Sequence, residues 1–386
     1  MLPFVTLLRP GFSASLLCLA LNTSQPSTSG SLIVRHGGTY TGTFISDDSD
    51  KPCVRIETTE PVTLINCVLR GPGNLIQATN GGARLTVVNC RGYGLTPTAD
   101  QRYPGRFVQV NQAISVRLER NYLEHVSGIA VYLWAGDGTP AQTLTVVGNT
   151  ARNMDGRYRN GGGTFANFLG LVGVRNVGNI EIAWNQVINE PNQSKVEDNI
   201  NLYNSGGTRA SPARLHDNYI QGAYPYPATS TRYSGSGITL DGDGGSAMTT
   251  TAFVEGYNNQ LVSTCAAMNI AAGHDNVFHH NRMVTSGYLP DGAKLTANYA
   301  AAGLWNQYKQ PATVFFNNHF RDNVIGFVHW GGTTPYSDRQ DLSPGACPSC
   351  TATTHLPNPI TLQTEQHEWD LWQRKLRRAG RRVGPY

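Results

Sequence analysis

The sequence predicts an all-β fold, a parallel β-helix of about nine coils over residues 31–335 followed by a helical tail. Three observations predict it. A short pattern recurs around Asn, with apolar residues five and three positions before it and another two after it. The interval between these anchors varies from about 22 to 41 residues, which stacked helices would not tolerate but strands joined by loops of free length would. The composition is rich in glycine, with 42 Gly in 386 residues, while charged residues make up only 15%. That low charge excludes a charge-rich disordered chain or a coiled coil.

The repeat is clearest at Val116-Leu118-Asn121-Leu123, Ile180-Ile182-Asn185-Val187 and Ala213-Leu215-Asn218-Ile220. Leu144-Val146-Asn149 and Phe278-Asn281-Met283 fit in part, and related Asn residues stand at 66, 89, 258 or 259, and 317 or 318. Each alternating pair reads as a strand with one face inward. Each Asn falls where the chain must turn, where its amide can satisfy backbone groups and tolerate left-handed angles. Stacked coil upon coil, the Asn side chains form a ladder. Cys67 and Cys90 each follow an Asn anchor and read as a stacked pair or a disulfide on neighbouring coils. A second inward pair follows several anchors: Ile129/Val131, Ile200/Leu202, Ile238/Leu240 and Met268/Ile270.

The ends differ from the middle. Residues 1–30 read as an export signal, from the apolar run Leu16–Leu21 before a polar segment, or as an N-terminal cap. The expected location is secreted or cell envelope. Residues 336–386 hold a Pro/Gly-rich loop with Cys347 and Cys350, then an amphipathic basic helix from about 363 to 379. Thr364 is its expected cap, and Trp369, Trp372, Leu376 and Ala379 form its apolar stripe. Of 30 basic residues, six crowd into 374–382, leaving 24 against 26 acidic residues elsewhere. A nucleic-acid binder spreads its positive charge over a face. This surplus reads as a solvated helix end, so neither a nucleic-acid partner nor a membrane span is expected.

The Asn-anchored coils at Asn121, Asn185, Asn218 and Asn281 resemble the single-stranded right-handed parallel β-helices of the pectate-lyase-like superfamily, over about 300 residues. That superfamily includes polysaccharide lyases, polygalacturonase-type hydrolases, uronan epimerases and tailspike glycosidases. Glu197-Asp198 before Asn199-Ile200-Asn201 is similar to an acidic pair of the polygalacturonase group, and Gly273-His274-Asp275 to its Gly-His-Gly. The group's Arg-Ile-Lys and the epimerases' Asp-Pro-His-Glu have no counterpart. The resemblance implies a carbohydrate-active fold without choosing the reaction.

Strand parity proposes where a site would lie. If the second pairs point inward, Ala130, Tyr132 and Trp134, then Asn199, Asn201 and Tyr203, then Thr239 and Asp241, then Asn269 point outward. Rings beside amides and carboxylates suit sugars, through stacking and paired hydrogen bonds. Glu197 and Asp198 precede one strand, Asp241 and Asp243 end the next within LDGDGG, and His274 follows a third. Coils stack about 4.8 Å apart. Carboxylates on neighbouring coils then fall about 5 to 10 Å apart, the range glycosidases use. The expected machinery is Asp241 or Asp243 acting with Asp198, with Glu197 a further catalytic candidate and His274 orienting substrate or tuning the acid. LDGDGG reads equally as a backbone-capping turn or a calcium loop. Tyr132, Trp134, Asn201, Tyr203 and Asn269 are expected to bind substrate. Lys195, Arg209 and Arg232 border the cleft and would serve a lyase or epimerase by neutralising a uronate. The expected partner is a polysaccharide or oligosaccharide, with a homo-oligomer compatible. A surface β-helix that binds glycans without cleaving them is the other reading.

Overall fold

The computed structural model describes residues 30–164, 166–175, 177–330, 341–342 and 349–386. Its strands form three sheets, and each turn of the chain gives one strand to each. The first sheet has ten strands, from Leu32–Val34 to Ala302–Leu304. The second and third have eleven each, ending at Cys350–Thr351 and Thr354–His355. The pairing between successive coils is parallel throughout, as in Leu169↔Ile200↔Ile238 of the first sheet. The fold is a parallel β-helix of ten complete turns and a partial eleventh. It runs past the expected end at 335, because Cys350–Thr351 and Thr354–His355 still pair with the turn before them. Of the expected N-terminal segment only Gly30 is described, and Cys347 lies outside the described residues. Cys350 is disulfide-bonded.

Inward residues stack in columns because parallel in-register pairing places like on like. Val108, Ile129, Leu169, Ile200, Ile238 and Met268 make one column, and Val110, Val131, Leu171, Leu202, Leu240 and Ile270 the next, all fully buried. Each such side chain contributes roughly 1.5–3 kcal/mol of hydrophobic stabilisation. A single coil has too few of them, so stability comes from stacking.

The corner between the second and third sheets carries the ladder: Cys67, Cys90, Asn121, Asn149, Asn185, Asn218, Asn259, Asn281 and Asn323. Asn218 shows the pattern. Its Nδ2 donates to Ile182 O of the previous coil at 2.9 Å and to Asn259 Oδ1 of the next at 2.9 Å. Its Oδ1 accepts from the backbone and amide of Asn185 at 3.0 and 2.9 Å. The left-handed residue is not the ladder Asn but the one before it, for example Asn66, Asn89, Arg120, Trp184, Asp217, Asn258 and His280, with φ between 50° and 57°. The anchor choices therefore resolve to Asn259 over Asn258, while Asn66 and Asn89 make the turn and Cys67 and Cys90 take the ladder seats. Those two cysteines are buried free thiols, and Cys67 N lies 3.3 Å from Cys90 Sγ. Asn318 belongs to a second, shorter ladder with Asn276, at 3.0 Å.

The tail helix spans Leu362–Arg378 and lies on the third sheet. Its cap is Thr361 rather than Thr364. Thr364 is the reciprocal partner in a capping box, so both hydroxyls satisfy backbone N–H groups. Its buried side is Glu365, Glu368, Trp372 and Leu376. Trp372 stacks on Tyr219, with ring centroids 5.8 Å apart, and its indole N–H donates to Gln186 Oε1 at 2.9 Å. Glu368 forms a two-pronged pair with Arg282, at 2.7 Å on both prongs. The expected stripe is corrected: Ala379 is exposed and Trp369 half-buried, while two carboxylates face inward.

Candidate active site on the first sheet

The outward face of the first sheet is built in rows by its register. Asn201, Thr239 and Asn269 are in-register neighbours on successive coils. Asn111, Tyr132, Val172, Tyr203 and Asp241 form the next row. Tyr132, Tyr203, Asn201 and Asp241 thus share one face.

Two residues depart from parity. Asn199 turns inward and is fully buried, its amide donating to Gly222 O at 3.1 Å and Ser236 O at 3.2 Å. Trp134 packs against the core because Leu133 before it is left-handed, φ 58°, which reverses the alternation and leaves Leu133 exposed.

Asp198 is the most enclosed carboxylate of this face. Its Oδ1 accepts from the Ser236 hydroxyl at 2.5 Å and the Thr239 hydroxyl at 3.0 Å, and its Oδ2 from Asn201 Nδ2 at 2.9 Å. Burial raises its pKa, the three donors oppose that, and the charge of Asp241 adds to the rise. Glu197 beside it is only partly buried, and its pKa is pushed up to about 7 by desolvation first, then by the charges of Asp198 and Asp241. Asp198 stands opposite Ser236 at the start of its strand, while Asp241 stands opposite Tyr203 at the end. Asp198 and Asp241 are on neighbouring coils as expected, but at opposite ends of the paired strands.

Aromatic rings surround this group. Tyr203 and Tyr308 meet edge to face with centroids 6.3 Å apart, and Tyr308 hydrogen-bonds Asp241. Tyr233 is 53% exposed as a residue, yet its hydroxyl is sunk near Asn269, Asp198 and Glu197. That desolvation lifts its pKa well above the phenol range. Asn269 donates to the Thr239 hydroxyl at 3.2 Å, so a chain runs Asn269, Thr239, Asp198, Asn201. Beside it opens a pocket of about 660 Å³, lined by Tyr233, Asn269, Tyr299, Trp305 and His329. Gly303 keeps this floor low: a Cβ there would come within 2.8 Å of Asn269 Oδ1 and 2.7 Å of the Trp305 ring.

The other expected residues stand elsewhere. Asp243 is exposed in the loop after the strand, held by Asn204 Nδ2 at 2.8 Å, and its pKa is lowered by Asn204 and Tyr203. The LDGDGG carbonyls of Gly242 and Gly244 accept from Gln310 Nε2 at 3.2 and 2.9 Å, so this loop is tied to the protein. Among the described residues no group of three or more His, Cys, Asp or Glu is arranged for a metal ion. His274 lies on the second sheet, one ring nitrogen 2.8 Å from Asp275 and the other 2.9 Å from Ala247 O, its ring stacked on Phe316. Arg209 lies over Phe253 and 3.8 Å from Asp275. Lys195 pairs by a backbone bridge with Asp155. The Lys195 ammonium lies beside Gly163, and Arg232 is exposed next to Tyr233.

Sequence reasoning missed Ser236, Tyr308 and Trp305. Ser236 had a readable signal, since it precedes Ile238 by the two positions that separate Asp198 from Ile200. Tyr308 and Trp305 follow a later strand and reach the site only through stacking. Tyr224, in the same Tyr-rich loop as Tyr233, is buried against Ser263 at 3.1 Å.

The fold and this face define a parallel β-helix protein with an acidic, aromatic cleft. No protein-family model matches the chain, and no curated protein and no solved structure matches it either. Among the described residues no helix is long and apolar enough to cross a membrane.

Proposed function

We propose that the first-sheet face is the substrate cleft of a carbohydrate-active enzyme, a glycoside hydrolase acting on a polysaccharide or glycoconjugate, on a right-handed single-chain β-helix of the pectate-lyase-like kind. The observation that carries the reading is Glu197. A partly buried carboxyl held near pKa 7 by desolvation first, with the charges of Asp198 and Asp241 adding to it, keeps its proton near neutrality and can give it to a leaving oxygen. Asp241 then activates water or attacks the anomeric carbon. Asp198 holds Asn201, Ser236 and Thr239 in place from below. Tyr203, Tyr132 and Trp305 supply ring faces for sugars, and the amides of Asn201 and Asn269 supply hydrogen bonds. A β-elimination needs a cation at the uronate carboxylate. Arg209 is drawn to Asp275 and the Lys195 ammonium lies beside Gly163, which leaves Arg232, exposed next to Tyr233, as the cation an elimination would have to use; the carboxylate pair favours hydrolysis. Secretion or envelope display fits the bonded Cys350.

The test is a glycan panel read both for new reducing ends and for the ultraviolet absorbance of unsaturated uronate ends. Reducing ends without absorbance are expected. On the substrate found, Glu197→Gln and Asp241→Asn should each lower kcat by about 10² or more with circular dichroism unchanged. Absorbance alongside reducing ends would establish elimination instead, and binding without cleavage would leave a glycan-binding surface.

A further inference from the structure

A second site lies on the third sheet, remote from the cleft. On the tail helix, Leu371, Arg374, Lys375 and Arg378 recur at three- and four-residue spacing and so share one side. That side meets Arg282 and His280 from neighbouring strands around a pocket of about 550 Å³. Four permanent cations line it, and no carboxylate does among the described residues.

Two of the four are already neutralised. Arg282 is taken by Glu368, at 2.7 Å on two prongs, and Lys375 by Asp217 Oδ1 at 2.6 Å and Asn258 O at 2.6 Å. Arg374 and Arg378 have no carboxylate within ion-pair distance among the described residues. Arg374 is nonetheless half-buried. Withdrawing a guanidinium from water without a counter-charge is unfavourable, and a second one a helical turn away makes it more so. Arg378 is exposed at the pocket's rim, and Arg377, exposed as well, does not line the pocket. The arrangement has the opposite logic to the Glu368–Arg282 pair, where each buried charge meets its partner.

We propose that this pocket binds an oxyanion ester, a phosphate or sulfate group carried on a small molecule or glycan. Arg374 and Arg378 grip the anion with their paired N–H groups. Lys375, Arg282 and His280 set the surrounding positive field, and Leu371 supplies an apolar wall for the ester's carrier. Guanidinium forks match the tetrahedral oxyanion geometry better than ammonium groups do. The fixed position of the helix, anchored by Trp372 and Glu368, keeps the two forks pre-organised.

Isothermal titration of the full chain with inorganic phosphate and, separately, with sulfate tests this, with chloride holding ionic strength constant. Saturable binding of one anion per chain is expected, and the tighter anion names the ester. Arg374→Gln with Arg378→Gln should weaken it tenfold or more, while Arg377→Gln, on the exposed side of the same helix, should leave it within twofold. All three positions are outside the buried side of the helix, and unchanged far-ultraviolet circular dichroism will verify folding. Absence of saturation, or equal weakening by Arg377→Gln, would overturn the proposal, the latter because a diffuse field rather than a site would be responsible.

Discussion

The first and third sheets come from the same coils and face opposite chemistry. On the third sheet a helix covers the strands, and its buried carboxylate Glu368 meets Arg282 and Gln260. On the first sheet loop aromatics rather than a helix lie over the central rows, and Glu197, Asp198 and Asp241 repel one another with neutral donors alone. Charge that serves the fold is paired. Charge left to repel its own kind costs stability and is kept where chemistry can use it.

That contrast can be broken by removing one carboxylate from each face. Glu368→Ala leaves the half-buried Arg282 without its partner and should destabilise by about 3 kcal/mol in denaturant melts, the low end for a buried pair. Glu197→Gln should cost nothing, or stabilise, above pH 7, since it removes a charge that Asp198 and Asp241 oppose. A Glu197→Gln loss as large as that of Glu368→Ala would place both carboxylates in the same structural role.

Glu365 sharpens the comparison, because it lies under the helix yet behaves like the cleft. It is buried with the Ser286 backbone N–H on Oε1 at 2.6 Å, and desolvation, opposed by Ser286, pushes its pKa up from 4.5 to about 7. The folded pKa is above the unfolded one, so folding favours the protonated form. The stability this gives is whole below about pH 4.5 and lost as pH rises through about 7, in all roughly 3 kcal/mol. Glu365→Gln should flatten stability between those pH values, and an unchanged pH profile would refute the assignment.

The smallest expected effect is in the ladder, which both faces share. Asn218→Ala removes buried hydrogen bonds to Asn259, Ile182 and Asn185 and should cost about 1–3 kcal/mol. A value near zero by chemical melt would mean that neighbouring coils close the gap.

How far the sequence was legible depended on period. Ile200, Ile238 and Met268 could be stacked in advance because parallel coils repeat side-chain parity, and Tyr203 with Asp241 followed from the same count. Trp134 and Asn199 escaped it, since one left-handed residue or one irregular strand start reverses parity without a mark in the composition. The Thr361 cap lay three residues from the expected Thr364, because a capping box uses both and the pattern alone does not say which begins the helix.

By itself the sequence determined the coil repeat, the inward columns, the Asn ladder and the residue types on the outward face, because each depends on local alternation and a recurring turn. Tertiary structure alone decided which outward residues meet. Asp198 and Asp241 are 43 residues apart and at opposite strand ends. Tyr233 and Tyr308 arrive from loops of unconstrained length, and the tail helix finds Arg282 across 86 residues. Loop length leaves no periodic trace, so the distance between such groups is set only when the coils have stacked.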